Sequence, residues 1–279
     1  MGVSIQLNRK VDNLEMAIKE GTFVAVFLAI GAYLSKRVDI PGRDTSRIVD
    51  ALGLLKGMEG EETPKIGRRV VVYGGGDTAI DAARTAKRLG AEETLLIYRR
   101  DREHMPAHDF EVEEALEEGV LTRWLSMIRQ VDENAITVEE MKLDENGYPQ
   151  PTGRMETLEA DTVILALGQE VDTGFLQEVP GLEISTDGVI QVDDTMMTGR
   201  LGVFAGGDMV PAERSVTVAT GHGKKAARHI DAYLRGFHYA KPPSNSVATF
   251  DRLNTWYYTD ADKSHQPYLN VARRRASFD

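Results

Sequence analysis

The amino-acid sequence contains no cysteine among its 279 residues. The chain itself therefore holds no disulfide, no thiolate-bound zinc, no cysteine-ligated iron–sulfur cluster and no redox-active dithiol. Long apolar runs are lacking too. The longest, VAVFLAIGAYL at residues 24–34, is about half of the roughly 20 residues that a helix needs to cross a bilayer. The first ten residues, MGVSIQLNRK, lack the apolar core of a signal peptide. We therefore expect a cytoplasmic protein with no membrane partner.

Basic charge is scarce, because 33 Lys and Arg residues face 44 Asp and Glu residues and give a formal net charge of -11. A nucleic-acid partner would require a basic stripe, so no nucleic-acid partner is expected. His222 and His229 lie seven residues apart on a predicted helix, without the thiolates or paired acids that would complete a metal site. We expect no metal centre.

A glycine turn stands out at residues 70–79, VVVYGGGDTA. An apolar strand runs into the glycines, a helix is predicted at residues 77–89, and a second strand at residues 94–98, which together make a βαβ unit. In the GxGxxG pattern, Gly74 permits the tight turn, Gly76 lets the backbone approach a pyrophosphate, and Ala79 lets the helix pack closely. The turn therefore predicts a dinucleotide site. The alternative is a doubly wound domain that kept the turn without the ligand.

Arginines follow the second strand of this unit. Arg99 and Arg100 stand where an acidic residue would bind the ribose 2′-hydroxyl of NAD, whereas arginine accommodates the 2′-phosphate of NADP. The sequence therefore predicts NADP(H). The alternative is a solvated strand end whose charge is balanced by Asp101 and Glu103.

A second constellation is GVFAGGD at residues 202–208, followed by a helix that begins near Val216. A strand that delivers the carboxylate of Asp208 at a Gly-Gly turn can hold a hydroxylated chain such as ribityl. A helix N-terminus can stabilise negative charge on a reduced isoalloxazine ring. The alternative is a β-turn in which Asp208 is only the polar residue.

Five segments resemble, in the correct order, the small (beta) subunit of NADPH-dependent glutamate synthase and related FAD-dependent pyridine nucleotide oxidoreductases. They are AVFLAIGA, GGGDTAIDAARTAKRLGAEETLLIYRRDREHMPA, DTVILALGQ, GVFAGGD and VATGHGKKAARHIDAYL. The resemblance covers residues 1–236. It implies an α/β fold with a two-lobe pyridine-nucleotide oxidoreductase architecture, in which a complete Rossmann-like NADPH lobe is inserted into a partial FAD lobe. The implied FAD lobe comprises residues 1–33 and 169–236, the NADP(H) lobe residues 34–168, and a C-terminal connector residues 237–279.

The resemblance also implies roles for single residues. The NADPH pyrophosphate would be lined by Gly74, Gly75, Gly76, Asp77, Thr78 and Ala79, and the 2′-phosphate would lie at Arg99 and Arg100. Gly207 and Asp208 would meet the ribityl and phosphate region of FAD, and Val216 and Thr217 would lie beside the flavin ring. Gly31 and Gly168 would mark the crossovers between the lobes. No catalytic side chain is implied, because the protein's part is to align the nicotinamide with the flavin.

The family begins with a cysteine-rich iron–sulfur segment and a first GxGxxG turn for FAD, and this sequence has neither. We therefore expect a fragment, truncated at both ends, that binds NADPH and little FAD. The implied function is the NADPH-binding part of a flavoprotein that passes electrons to an iron–sulfur or catalytic partner subunit. The alternative is a non-catalytic NADPH-binding or scaffold module. A disulfide reductase of the thioredoxin-reductase type shares the fold but requires a dithiol.

Overall fold

The computed structural model describes residues 2–36, 39–42, 47–60, 63–243, 246–256, 261–262, 264, 266–276 and 278. Its contacts divide the chain into two compact units. Unit 1 comprises Met1–Ala32 and Val171–Tyr268, and unit 2 comprises Tyr33–Glu170 and Leu269–Asp279.

The helices in the described residues are α1 (Leu14–Gly21), α2 (Ala51–Gly57), α3 (Asp77–Arg88), α4 (Asp109–Glu117), α5 (Val216–Arg235) and α6 (Val271–Ala276). The strands are β1 (Val26–Leu28), β2 (Leu34–Ser35), β3 (Ile48–Asp50), β4 (Arg69–Gly74), β5 (Glu93–Ile97), β6 (Leu121–Arg123), β7 (Ser126–Val131), β8 (Ala135–Leu143), β9 (Pro149–Glu159), β10 (Thr162–Ala166), β11 (Gln169–Glu170) and β12 (Val203–Ala205). Short 3-10 turns lie at Gly174–Leu176, Gly207–Met209 and Phe250–Arg252. No helix in the described part of the chain has both the length and the apolar character needed to span a membrane.

Unit 2 is built on a parallel sheet with the strand order β3-β10-β4-β5-β6. Val70, Val71 and Val72 are all buried, as expected for a strand that is covered on both faces. β4 ends at Gly74, which is in register with Ala166 of β10. The glycine turn therefore lies at the carboxyl end of the central strands, where open α/β sheets bind their ligands.

Different layers cover the two faces of this sheet. Residues of α2, α3 and α4 form a hydrophobic core on one face, and the antiparallel sheet β7-β8-β9 packs on the other. Helix α3 contributes Ala79, Ala82 and Ala83, whose side chains have no exposed surface. Because alanine is small, α3 can lie close to β4, which fixes the start of the helix beside the glycine turn.

Unit 1 contains a two-stranded parallel sheet of β1 and β12, in which Leu28 is in register with Ala205. Helix α5 follows β12 and is capped at its start by Ser215, whose hydroxyl accepts a hydrogen bond from the amide of Val218 at 3.3 Å. Gly236 caps the end of the helix and adopts a φ of 72°. Such a cap is energetically inexpensive for glycine, because it has no Cβ atom.

The βαβ unit and the late helix are confirmed within two residues of their predicted bounds, as α3, β5 and α5. Apolar and polar residues alternate in GVSIQLN at residues 2–8, a pattern that predicts a short strand, and this prediction is wrong. Ile5 and Leu7 are exposed, and no described strand lies beside this segment to pair with its backbone.

The spacing of apolar residues in SRIVDALGLLKGMEG at residues 46–60 predicts a helix, which is only partly right, because Ile48–Asp50 form β3 and pair with β10. Asp50 ends the strand and caps α2 by accepting a hydrogen bond from the Gly53 amide at 2.7 Å. Three adjacent aromatic residues at 256–258 favour packing on their own domain, with a docking patch as the alternative. Trp256 is exposed, while Tyr257 and Tyr258 lie outside the described residues.

Candidate nucleotide-binding sites

The three glycines of the turn after β4 have different surroundings. A Cβ atom on Gly74 would overlap the carbonyl oxygen of Ala166 and lie 2.9 Å from its carbonyl carbon. A Cβ atom on Gly75 would overlap the ring of Tyr98. A Cβ atom on Gly76 would meet nothing within 4 Å. The fold itself therefore requires glycine at the first two positions, whereas the third glycine faces open space that a ligand could fill.

The start of α3 offers donors to an anion. Gly76 precedes the helix without a side-chain cap, and its carbonyl accepts the amides of Ala79 and Ile80 at 2.8 and 3.3 Å. The amides of Asp77 and Thr78 come before these first intrahelical bonds and are directed out of the helix start. Together with the positive end of the helix dipole, they suit a pyrophosphate.

Backbone hydrogen bonds fix the segment that carries the two arginines after β5. The amide of Tyr98 donates to the carbonyl of Arg123, and the carbonyl of Arg100 accepts the amide of Leu125, both at 3.0 Å. Arg99 is exposed. The Nε atom of Arg100 is buried and has no hydrogen-bond partner in the described structure. This side chain therefore has a free donor, which a phosphate oxygen would satisfy.

A loop at residues 101–108, called the return loop below, runs from the arginines back to the glycine turn. The amide of Ala107 donates to the carbonyl of Gly75, and the amide of His108 donates to Oδ1 of Asp77, both at 3.1 Å. The return loop thus joins the two places where the sequence predicts phosphate contacts. His104 and His108, near Met105 and Pro106, predict a loop next to the nicotinamide nucleotide, but the pattern of residues 101–108 does not indicate where that loop folds back.

Carboxylates lie close to the start of α3. Burial raises the pKa of Glu111, and the charge of Asp77 and a hydrogen bond with it raise this pKa further. Burial also raises the pKa of Asp81, against the opposing charge of Arg84. Like charges here oppose an incoming anion, so they moderate the affinity that the helix start would otherwise have.

Replacement of Glu111 with glutamine is expected to stabilise the protein at pH 7, raising the melting temperature by about 1–2 °C. Because the folded-state pKa of Glu111 is raised, the stability that its protonated carboxyl group contributes is fully present below the ordinary pKa of 4.5. This stability is lost as the pH rises through the raised value. Thermal melts at pH 7 and pH 4 test this, since the gain should vanish at pH 4. The control is Glu113→Gln, which removes an exposed partner of Arg102. A lower melting temperature for Glu111→Gln at pH 7 would contradict the prediction.

In unit 1, the turn after β12 is attached to α5. Gly207 has a φ of 75°, and its amide donates to Nδ1 of His222 at 3.2 Å. The sequence does not indicate this role for His222, because its spacing from His229 bears only on metal binding. Asp208 follows in the same turn and is half-buried.

The other residues predicted at the FAD site lie at the start of α5, where Val216 is 84% exposed and Thr217 is also exposed. The Gly207–Met209 turn packs against this helix, so the predicted residues lie on neighbouring elements. Gly168 belongs to unit 2, where it adopts a φ of 107° and its carbonyl accepts the amide of Lys36 at 2.9 Å. Gly31 also has a positive φ, 69°.

The sequence pattern of the family described as pyridine nucleotide-disulphide oxidoreductase matches residues 2–223. The chain belongs to this family. The α/β class with a Rossmann-like parallel sheet is therefore confirmed, as is the resemblance on which it was predicted.

Curated relatives of this oxidoreductase chain are subunits of larger assemblies. The NADP(+)-dependent formate dehydrogenase subunit beta of Moorella thermoacetica is 36% identical over 277 residues, which cover 92% of this chain and 37% of that protein. A putative glutamate synthase [NADPH] small chain of Cereibacter sphaeroides is 38% identical over 258 residues, covering 84% and 62%. The NADPH-Fe(3+) oxidoreductase subunit beta of Geobacter sulfurreducens is 34% identical, covering 84% and 40%. The chain thus spans 37–62% of the length of these relatives.

Solved structures share the oxidoreductase fold. Mycobacterium tuberculosis FprA in complex with NADPH gives a TM-score of 0.65 at 18% identity, covering 82% of this chain and 67% of that chain. Lactococcus lactis thioredoxin reductase gives 0.63 at 21% identity, covering 76% and 67%. At such identities these likenesses are evidence for the fold alone.

Proposed function

We propose that unit 2 binds NADP(H) as the pyridine-nucleotide-binding part of a flavin-dependent oxidoreductase. The observation that carries this proposal is the combination of an open, uncapped helix start at Gly76 with the unpaired Nε atom of Arg100, joined by the return loop. The relatives' names, which carry NADPH or NADP(+), support it.

Two sets of residues in this chain would bind two different phosphate groups of the nucleotide. The turn and the first helical residues would receive the pyrophosphate; they are Gly74, Gly75, Gly76, Asp77, Thr78 and Ala79. Arg99 and Arg100 would receive the 2′-phosphate, for which the arginine fork suits the geometry of phosphate oxygens. When bound, NADPH supplies a hydride that FAD can accept.

Unit 1 offers part of a flavin site. Gly207 and Asp208 would contact the ribityl and phosphate region, and Val216 and Thr217 at the exposed start of α5 would lie beside the ring. The G-x-G-x-x-A pattern occurs in GGGDTA at residues 74–79 and in GHGKKA at residues 221–226. Only the first follows a strand as a turn, in unit 2, because the second lies inside helix α5. We therefore expect this chain to bind NADPH and little FAD. Stoichiometric FAD in the purified chain would contradict this expectation.

The whole-protein activity is part of the proposal. We infer electron transfer from NADPH through FAD to an iron–sulfur or catalytic partner subunit in the cytoplasm, with residues 1–33 and 169–236 on the flavin side and residues 34–168 on the nucleotide side. Residues 237–279 would be a connector. A colourless chain that binds NADPH and completes no flavin site with a partner subunit would favour the alternative, a non-catalytic NADPH-binding module.

Substitution of both Arg99 and Arg100 by alanine tests the nucleotide site. We expect NADPH affinity to fall by about ten- to a hundredfold, because hydrogen bonds to charged groups contribute about 1.5–3 kcal/mol. NADH affinity should stay within about twofold. Isothermal titration of the wild type and the variant with both nucleotides measures the difference.

The matched control for this titration is Arg154→Ala. Arg154 carries the same charge and belongs to unit 2, but it lies on β9 and pairs with Glu140 at 3.3 Å. Its loss should leave both affinities unchanged. Equal losses of NADPH and NADH affinity in the double variant would contradict the assignment of the arginines to the 2′-phosphate.

A further inference from the structure

Tyr98 follows β5 directly and is 6% exposed. Its ring occupies the space in front of Gly75, where an added Cβ atom would overlap it. Its hydroxyl donates to the carbonyl of His104, in the middle of the return loop, at 2.9 Å. One side chain therefore contacts the glycine turn through its ring and holds the return loop through its hydroxyl.

Other bonds fix the two ends of the return loop, at Ala107 and His108 to the glycine turn and at Arg102 to Glu113 of α4. The backbone bonds in the middle of the loop are of a different kind. The amide of His104 donates to Oδ1 of Asp101 at 3.0 Å, and the amide of Met105 donates to the carbonyl of Arg102 at 3.1 Å. Both bonds lie within the loop, so they fix its shape but not its position. In the described structure, the hydroxyl of Tyr98 makes the hydrogen bond that joins the middle of the loop to the end of β5.

The position of this loop bears on the 2′-phosphate. The loop starts directly after Arg100 and ends at the glycine turn, where Ala107 and His108 are bonded to Gly75 and Asp77. A nucleotide that contacts Arg100 with its 2′-phosphate and the glycine turn with its pyrophosphate would span the same two points. The ribose between these phosphates would therefore lie along the return loop.

We propose that Tyr98 is a positioning residue that sets the selectivity for a 2′-phosphorylated nucleotide, by holding the return loop beside the arginines through its hydroxyl. This inference rests on the proposed NADP(H) site. It goes beyond that site, because Tyr98 would contact no part of the phosphates itself. A loose loop would leave Arg100 less well placed, and the cost of ordering both would be added when Arg100 engages a 2′-phosphate, so a fixed loop favours the 2′-phosphorylated nucleotide over NADH.

The hydroxyl can be removed without removing the ring. In Tyr98→Phe the ring still fills the space at Gly75, so the glycine turn keeps its support. The backbone of residues 98–100 also stays bonded to Arg123 and Leu125. We therefore expect the pyrophosphate contacts to persist while the segment that follows the arginines loosens. NADPH affinity should fall by about three- to tenfold and NADH affinity by less than about twofold, because a weakened single hydrogen bond corresponds to about this range.

The matched control is Tyr73→Phe. Tyr73 is buried on β4 of the same sheet, with its side chain in the core shared with β7 and β8. Its loss of a hydroxyl should leave the affinities for both nucleotides unchanged. Titrations of the full chain with NADPH and NADH are combined with hydrogen exchange of residues 101–108. In Tyr98→Phe, exchange in the loop should be faster without nucleotide and return toward the wild-type rate with NADPH.

The outcomes separate the inference from the proposed function. A wild-type chain that prefers NADPH, with a Tyr98→Phe variant whose preference is reduced, supports both. A Tyr98→Phe variant with the wild-type preference, or with equal losses for NADPH and NADH, overturns the inference and leaves the proposed function standing. A wild-type chain without preference for NADPH overturns both.

Discussion

Replacement of Glu118 with alanine is expected to destabilise unit 2 by about 3–5 kcal/mol, the usual cost of removing one partner from a buried ion cluster. The side chain of Glu118 has 0% exposure. Its Oε1 atom accepts hydrogen bonds from Nη2 of Arg84 at 2.7 Å and from Nη2 of Arg88 at 3.0 Å, and Nη1 of Arg274 lies 3.6 Å away. Without the carboxylate, three mostly buried arginines would lie close together with too little negative charge.

The pKa of Glu118 gives this cluster a defined pH dependence. Burial alone would raise the pKa, but the hydrogen bond from Arg84 and the charges of Arg84, Arg88 and Arg274 outweigh it, so the pKa lies below its ordinary value of 4.5. The stability that Glu118 contributes is therefore fully present above pH 4.5 and is lost as the pH falls through the lowered folded-state value. The difference in the free energy of unfolding between the wild type and Glu118→Ala should therefore become smaller in that acid range.

Urea unfolding can follow unit 2 separately. The sequence has two tryptophans, and in a Trp256→Phe background the remaining Trp124 reports on unit 2. The control is Glu117→Ala, because Glu117 is 61% exposed and pairs with Arg274 at 2.8 Å. We expect this variant to lose about 1 kcal/mol or less. Equal losses for the two variants would contradict the special role of the buried carboxylate.

Gly74→Ala and Gly76→Ala are expected to separate folding from binding. The Cβ atom of Gly74→Ala would overlap backbone of Ala166, which cannot rotate away, so a loss at the upper end of about 1–3 kcal/mol is expected. Gly76 has open space in front of it and a φ of −94°, which alanine adopts readily. Its replacement should change stability by less than about 0.5 kcal/mol.

The effects of the two substitutions on NADPH binding should be in the reverse order of their effects on stability. The added methyl group of Gly76→Ala would enter the space through which we propose that the pyrophosphate approaches, and NADPH affinity should fall by about tenfold or more, which corresponds to 1.4 kcal/mol. Urea unfolding and titration with NADPH measure both properties on the same protein. A Gly76→Ala variant that binds NADPH as tightly as the wild type would contradict the assignment of this space to the nucleotide.

Local sequence patterns were sufficient to predict the strand and the helix at the centre of unit 2. The apolar run before Gly74 predicts a strand, and Ala79 predicts close packing of the following helix on it; the strand is β4, and Ala79 is fully buried. These patterns predicted the wrong secondary structure where the pairing of strands determined it. Ile48 and Val49 form a strand because β10 lies beside them, although their spacing is helical. The segment at residues 3–7 has a strand's alternation but no described neighbour to pair with.

Contacts between distant residues could not be predicted from the sequence. Arg274 belongs to the short helix α6, in a tail that lacked a clear pattern, yet it reaches Glu117 and Glu118 on the end of α4. Its carbonyl also accepts Nε of Arg88 at 2.8 Å. Likewise, the position of the ring of Tyr98 against Gly75 follows from how β4 and β5 pair.

The most direct test of the NADP(H) site uses nucleotide fragments that carry neither nicotinamide nor flavin. Isothermal titration of the wild-type chain with adenosine 2′,5′-bisphosphate and with adenosine 5′-monophosphate compares two ligands that differ only in the 2′-phosphate. Because Arg99 and Arg100 would bind that group, the bisphosphate is expected to bind at least about tenfold more tightly, and this advantage should disappear in the double alanine variant. Equal affinities of the wild-type chain for the two fragments would contradict the account.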